Sequence, residues 1–264
     1  MADLKGRTVT SVAQPGVGVQ VALFATCIAD TMKPSVPIAT VKLLERLGCK
    51  VVFPKRQTCC GQIMANTGYY KETVPTIKNY VKSFENYDYV VAPSGSCVGS
   101  VRHQHEMIAR KMGDSVLADE AANAASRTYD IAEFLVDVLG VVDVGAYFPH
   151  KVTYHPSCHG KRITKLGDRP YQLLRAVEGL ELLELPNADQ CCGFGGTFSI
   201  KNSDMSVAMA EDKANCAIDS GAEYLTGGDH ACLMNVQGIL HRNKSNVQTI
   251  HLVEILASTK EDPR

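Results

Sequence analysis

The chain has 264 residues, 45% apolar and 21% charged, a composition that excludes global disorder. A net charge of -1 leaves no electrostatic footprint for wrapping nucleic acid or coating an anionic membrane. No apolar run reaches the ~18–20 residues that a membrane span requires, and Met1-Ala-Asp-Leu-Lys-Gly-Arg7 lacks the apolar stretch of a secretory signal.

In chain order, residues 1–18 are polar and glycine-rich and read as a flexible tail; Gly16-Val-Gly18 lacks the order of a dinucleotide fingerprint. Residues 19–24 read as a buried strand that ends just before Cys27. Helical spacing over 38–47 puts Ile38, Val41, Leu44 and Leu47 on one face and stops at Gly48. A short strand at 51–53 leads into Cys59-Cys60-Gly61. A helix follows over 70–84, then a strand at 89–92 that runs into Pro93-Ser-Gly-Ser-Cys97. The order then recurs. A strand at 151–154 precedes Cys158, a helix spans 171–177, and a strand at 182–185 precedes Cys191-Cys192-Gly193. A helix spans 203–220, and a strand at 223–226 precedes Cys232. Alternating short apolar strands and helices predict an α/β protein with a small, mostly parallel sheet in each half. Right-handed crossovers put the strand C-termini, and with them the cysteines, on one edge.

Ten cysteines with no tryptophan are the outlying count. With no secretory signal, the cytoplasm is the expected compartment. Thiols stay reduced there, so clustered cysteines favour metal or redox chemistry over staples. The order C…CCG…C occurs twice: Cys27, Cys59, Cys60, Cys97 and Cys158, Cys191, Cys192, Cys232. The offset is 131 residues from Cys27 to Cys158 and 132 from Cys60 to Cys192. Pro54 and Pro186, Gly48 and Gly179, and Tyr89 and Tyr224 keep the same register. Thr128-Tyr-Asp-Ile-Ala-Glu-Phe-Leu135 resembles Thr249-Ile-His-Leu-Val-Glu-Ile-Leu256 at an offset of only 121. The first half therefore carries an insertion, expected within 103–127. Two homologous halves follow, 19–149 and 150–264.

Adjacent side chains in extended backbone diverge. Both thiolates of a CC pair fit poorly on one tetrahedral ion. They fit better on different irons of a cluster, or with one ligating and one held apart. Four cysteines per half is the number an iron–sulfur cluster usually needs; zinc in one half is the alternative, weakened by the lack of tight CxxC knuckles. Gly61 and Gly193 permit positive φ or close backbone approach to a cofactor, and Gly195 and Gly196 extend that permissive stretch. Cys49 and Cys216 stand outside the repeat and read as small core residues. His155, His159 and His230 flank the cysteines; an ordinary hydrogen-bonded histidine is the commoner outcome for each, and His230, two residues from Cys232, is the best replacement ligand. His103, His105, His150, His241 and His251 carry no spacing signal. Lys161-Arg162 reads as a solvated helix start, with a carboxylate or acidic neighbour as the alternative partner.

The repeated cysteine pattern resembles the CCG domain found in heterodisulfide reductases and in glycolate oxidase iron–sulfur subunits. It is more similar still to the lactate utilization protein A family, over nearly all of residues 20–257. The likeness is carried by Ala25-Thr26-Cys27, Glu45-Arg-Leu-Gly48, Cys59-Cys60-Gly61-Gln62, Pro93-Ser-Gly-Ser-Cys97, Thr153-Tyr-His-Pro-Ser-Cys158-His159, the run from Cys191 to Ser199, and Cys232-Leu-Met-Asn235. The resemblance implies two CCG domains related by a pseudo-two-fold axis, each with one iron–sulfur cluster of the [4Fe-4S] kind. It implies an electron-transfer subunit of a complex that oxidises L-lactate to pyruvate, partnered by further subunits, one of them also iron–sulfur-binding. A glycolate or other 2-hydroxy-acid system and a thiol–disulfide redox subunit are the neighbouring alternatives. No flavin or nicotinamide fingerprint is present, so lactate itself is not expected to bind here. One departure stands out. The heterodisulfide reductase type ends each motif in CxxC and uses five cysteines, whereas here Ser94 and Asp229 lie three residues before Cys97 and Cys232, and Ser100 and Asn235 three residues after.

Overall fold

The computed structural model describes residues 15–263. Each half is a four-stranded, wholly parallel sheet. The first joins β1 (Gln20–Leu23), β2 (Lys50–Val52), β3 (Val90–Ala92) and β4 (Thr128–Asp130) in the order β2-β1-β3-β4. The second joins β5 (Lys151–His155), β6 (Glu181–Leu183), β7 (Tyr224–Gly227) and β8 (Gln248–His251) in the order β6-β5-β7-β8. The registers match as well: Gln20 pairs with Lys50 as Lys151 pairs with Glu181, both at the offset of 131. The two halves are homologous units of one fold.

Helices cover both faces of each sheet. Val21, Leu23, Val90 and Val91 are buried in the first sheet and Val152, Thr153 and Leu225 in the second, as expected of a parallel sheet flanked on both sides. The helix Ser35–Arg46 stops before Gly48, whose φ of 93° only glycine adopts readily. The largest apolar cluster runs through both halves, from Val21, Leu43 and Leu44 to Val152, Leu173 and Leu252. The packing is reciprocal across the seam: the first-half helix Ser35–Arg46 lies on the second-half helix Leu252–Ala257, and the second-half helix Arg169–Arg175 lies on first-half residues Ile131–Glu133.

The edge strands β4 (Thr-Tyr-Asp) and β8 (Gln-Thr-Ile-His) were not expected, because they lack the short apolar run that marks the other strands. The extra first-half segment is the helix Ser115–Ser126, inside the expected range 103–127; the second half has only His230–Arg242 between β7 and β8. The expected tail over 1–18 falls mostly outside the described residues. At 15–18 the chain turns, and the Gly16 N–H donates to Leu47 O at 3.0 Å.

Arg46 ties the helix ends across the seam. Its guanidinium donates to the carbonyls of Leu256 and of Ala257, the latter at 2.8 Å, where the C-terminal helix leaves them unpaired. Arg46→Met is expected to lower unfolding free energy by about 1.5–3 kcal/mol, the worth of hydrogen bonds to a charged group, read from urea denaturation midpoints.

Candidate metal centre

The first cysteine of each quartet opens a short helix, Cys27–Met32 and Cys158–Arg162. In both halves the preceding residue is not glycine yet has positive φ: Thr26 at 66° and Ser157 at 50°. Such backbone costs of order 1–3 kcal/mol and persists only where the surroundings enforce it. It turns the thiol off the strand end and back toward the seam. The CC pair follows β2 or β6, and the third cysteine sits in the helix after β3 or β7. All eight cysteines of the two quartets line one cavity of about 810 Å³, its open mouth included, between the halves.

Within each quartet the thiols form a chain. Cys27 Sγ lies 3.3 Å from Cys59 Sγ, and Cys60 bonds to both Cys59 and Cys97. In the second half Cys191 takes hydrogen bonds from Cys158 and Cys192, and Cys192 also reaches Cys232. The divergence expected of adjacent side chains is accommodated. Cys60 and Cys192 are buried and reach the third cysteine, while Cys59 and Cys191 are half-buried and face the first.

The glycine after each pair has φ of 82°, and its N–H points at the first sulfur of the pair: Gly61 to Cys59 at 3.3 Å and Gly193 to Cys191 at 3.4 Å. Gly195 and Gly196, both with positive φ, line the cavity beside Phe194.

Donation from neighbouring thiols singles out one thiolate per half. Bonds from Cys27 and then Cys60 pull Cys59 down to about 3, and bonds from Cys158 and then Cys192 pull Cys191 down to about 2. Cys27, Cys60, Cys158 and Cys192 are pushed above the ordinary thiol range, first because each donates to that thiolate and then by burial. A cation set among the sulfurs removes that obstacle and takes up all the thiolates together. The residues present thus fit a thiolate-bound metal or an iron–sulfur group. Cys49 and Cys216 are buried in the apolar clusters away from the cavity.

The seam is closed by a carboxylate. Asp229 is 3% exposed and its Oδ1 accepts from the Ser94 hydroxyl at 2.8 Å, the Ser96 N–H at 3.0 Å and the Ser96 hydroxyl at 2.7 Å. Burial pushes its pKa up, but bonds from Ser157, from the Ser96 N–H and from the Ser96 and Ser94 hydroxyls outweigh that and hold it below the usual carboxylate range. Ser94 and Asp229, each three residues before the last cysteine of its quartet, are bonded to each other. Close approach is possible because Gly95 and Gly160 face one another; a Cβ on Gly95 would lie 3.4 Å from Gly160 Cα.

Two side chains hold the backbone of the CC pairs. His105, on the π-type turn Val101–His105, donates from Nε2 to Cys60 O at 2.8 Å. Asn235 Nδ2 does the same to Cys192 O at 2.8 Å. Each fixes the backbone of the deeper cysteine from the helix beyond the third. His159 Nδ1 is 3.5 Å from Cys158 Sγ, and its Nε2 meets Gln62 of the other half at 3.0 Å. His230 lies where the cavity meets a groove beside Lys33, His251 and Glu254. His155 is 2% exposed with neither ring nitrogen partnered, and burial lowers it to about 4. One of its ring nitrogens lies within 4.8 Å of the sulfurs of Cys192 and Cys232, closer to a ligand's place than the expected His230. Lys161 is ion-paired with Asp189 on the surface, as a solvated helix start would be.

The glycines that follow the two CC pairs differ in the room around them. A Cβ on Gly193 would lie 2.6 Å from Ser206 O, whereas on Gly61 it meets the Thr73 methyl at 2.9 Å. Gly193→Ala is therefore expected to destabilise by about 1–3 kcal/mol and more than Gly61→Ala, read from thermal midpoints. Burial raises Asp130 to about 7, opposed by the Ala132 N–H and reinforced by Asp229. The native chain thus holds this proton more tightly than the unfolded one, and stability falls as pH rises from about 4 toward 7. Asp130→Asn keeps the Oδ1 acceptor for Ala132 and removes the charge. The variant should gain on the order of a few kcal/mol over the parent at pH 8 and little at pH 4, measured by urea unfolding at both.

The cysteine-rich CCG domain family matches residues 21–102 and 152–237, one match in each sheet unit. The chain is 46% identical over 242 residues to lactate utilization protein A of Macrococcus caseolyticus, covering 92% of this chain and 98% of that one. The same identity and coverage hold against lactate utilization protein A of Oceanobacillus iheyensis. Among solved structures, a hypothetical protein from Helicobacter pylori shares the fold, with a TM-score of 0.63 at 12% identity. That match covers 95% of this chain, which spans 51% of the longer one. Identity at this level along nearly the whole sequence, with the cysteine-rich domain matched once in each half, makes the chain a member of the CCG family, in the company of the lactate utilization A proteins.

Proposed function

We propose that this protein is an iron–sulfur electron-transfer subunit of a cytoplasmic system that oxidises L-lactate to pyruvate. The units 19–149 and 150–264 would each hold one [4Fe-4S] cluster. The observation that carries the reading is the pair of contacting thiol quartets on one cavity, in a chain this similar to lactate utilization A proteins. Cys27, Cys59, Cys60 and Cys97 would hold the first cluster and Cys158, Cys191, Cys192 and Cys232 the second. Such a cluster supplies one-electron chemistry at a potential set by charge, hydrogen bonds and exposure. The chain's own part is to fix the sulfurs and direct the N–H groups of Gly61 and Gly193 at them, with Gly195 and Gly196 allowing close backbone approach. It also shields Cys60 and Cys192 from water. Electrons would pass along a lactate-oxidising complex that includes another iron–sulfur subunit. Among the described residues no helix is long and apolar enough to cross a membrane.

The test is iron and acid-labile sulfide analysis with electron paramagnetic resonance on anaerobically purified protein. Two iron–sulfur clusters per chain are expected. Cys60→Ser and Cys192→Ser should each remove about half the iron, because each breaks one quartet. Zinc without iron would overturn the reading in favour of a structural metal protein. Metal-free protein whose Cys59 and Cys191 alkylate rapidly at acid pH would favour a thiol–disulfide catalyst.

A further inference from the structure

The two quartets are related by the repeat, but their surroundings are not. Three residues before Cys27 stands Phe24, and three residues before Cys158 stands His155, at the same offset of 131 that pairs the strand registers. Phe24 is fully buried, with its ring edge-on to Tyr80 at 5.2 Å and to Phe84 at 5.6 Å. An aromatic hydrocarbon is what that position in the fold packs well.

In the second half the same position carries a polar ring that the protein leaves unsatisfied. Both His155 nitrogens are buried and neither has a hydrogen-bond partner among the described residues. Each such group costs about 1–3 kcal/mol in desolvation, so an unpaired one calls for a reason. The strand does not supply it, because β5 pairs through its backbone and leaves the imidazole no part in the ladder. One of the ring nitrogens, Cys192 Sγ and Cys232 Sγ all lie within 4.8 Å of one another. A metal about 2.0–2.3 Å from nitrogen and sulfur donors draws them to roughly 3.5–4 Å apart, a small movement from here.

We propose that His155 is a nitrogen donor to the metal group of the second half, making that site four cysteines and one histidine while the first remains all-sulfur. The proposal rests on the iron–sulfur reading above. It provides the fifth donor that neither Ser94 nor Asp229 supplies, since those two are spent on each other. The other histidines near the second quartet fit the role less well. His159 is engaged with Gln62 of the other half, and His230 borders the groove beside Lys33 and Glu254. A histidine donor in one half only makes the two clusters inequivalent.

The experiment uses anaerobically purified full-length Cys60→Ser protein, in which the first site is disabled and the remaining paramagnetic signal belongs to the second. Pulsed electron paramagnetic resonance should show one strongly coupled nitrogen, and 15N-histidine labelling should change its splitting. His155→Phe, which copies the first-half residue, should abolish that coupling. His155→Gln should abolish the histidine coupling too, and it serves where the phenyl ring disturbs folding. If the second half holds a single divalent ion, cobalt substitution reads the same donor through its ligand-field bands, and bands unchanged in His155→Phe overturn the proposal. Iron present with no coupled histidine nitrogen, or coupling that survives both substitutions, overturns this inference alone. Absence of both iron and zinc from the parent protein overturns the functional reading and this inference with it.

Discussion

An ionised carboxylate buried at the seam sets the geometry of everything around it. Asp229 cannot stay charged in an apolar interface without donors, and its four come from both halves: Ser94 and two groups of Ser96 from the first, Ser157 from the second. Each partner is placed by the chain beside a cluster cysteine. Ser94 and Ser96 lead into Cys97, Ser157 directly precedes Cys158, and Asp229 itself lies three residues before Cys232. One buried charge therefore fixes three of the eight thiols and the distance between the halves. Ser94 and Asp229 thus form a bolt between the halves.

The duplication keeps some features and breaks others, and the division follows chemistry. The positive φ before the first cysteine, the glycine N–H aimed at the second and the side chain that holds the deeper cysteine's carbonyl are present in both halves. These place sulfur atoms, and both sites need them. The broken positions surround the sulfurs: Ser94 against Asp229, Phe24 against His155, Asp130 against His251. Asp130 and His251 cap equivalent short helices, yet one is a carboxyl pushed upward by burial and the other an imidazole pushed downward. The seam thus carries two buried carboxyls of different state, an Asp229 held ionised by its donors and an Asp130 whose burial and proximity to Asp229 favour the proton.

The cysteine quartets, the two-unit α/β organisation and three strands of each sheet were legible in the residues. The repeat doubles every signal, and cysteines at strand ends leave little freedom of placement. The remaining strands, β4 and β8, were missed because Thr-Tyr-Asp and Gln-Thr-Ile-His lack the apolar run that marked the equally short β2 and β3. Asp229 was visible as a departure from a pattern but not as a bolt, since its first-half partners lie more than a hundred residues away and meet it only when both sheets have formed. His105 had no spacing signal because a π-type turn shifts its register and aims its ring at Cys60. His230 was preferred over His155 on distance along the chain. Distance in space favours His155: one of its ring nitrogens, at the end of β5, lies within 4.8 Å of the Cys192 and Cys232 sulfurs although the residue does not line the cavity, while His230 opens the helix His230–Arg242 where the cavity meets a groove.

Burial and charge together explain why the thiols are arranged as they are. Eight cysteines on one cavity, with an ionised Asp229 in its wall, cannot all be thiolates unless positive charge enters with them. The chain answers by keeping one low-pKa sulfur in each half, Cys59 and Cys191, half-exposed at the mouth, while Cys60 and Cys192 stay protonated and deep. A cation held by these sulfurs would supply that charge and favour the deprotonated form of Cys60 and Cys192 alongside Cys59 and Cys191. The helix starts at Cys27 and Cys158 and the glycine N–H groups at the CC pairs already hold the sulfurs together without it, so the arrangement of the quartets is set by the fold itself.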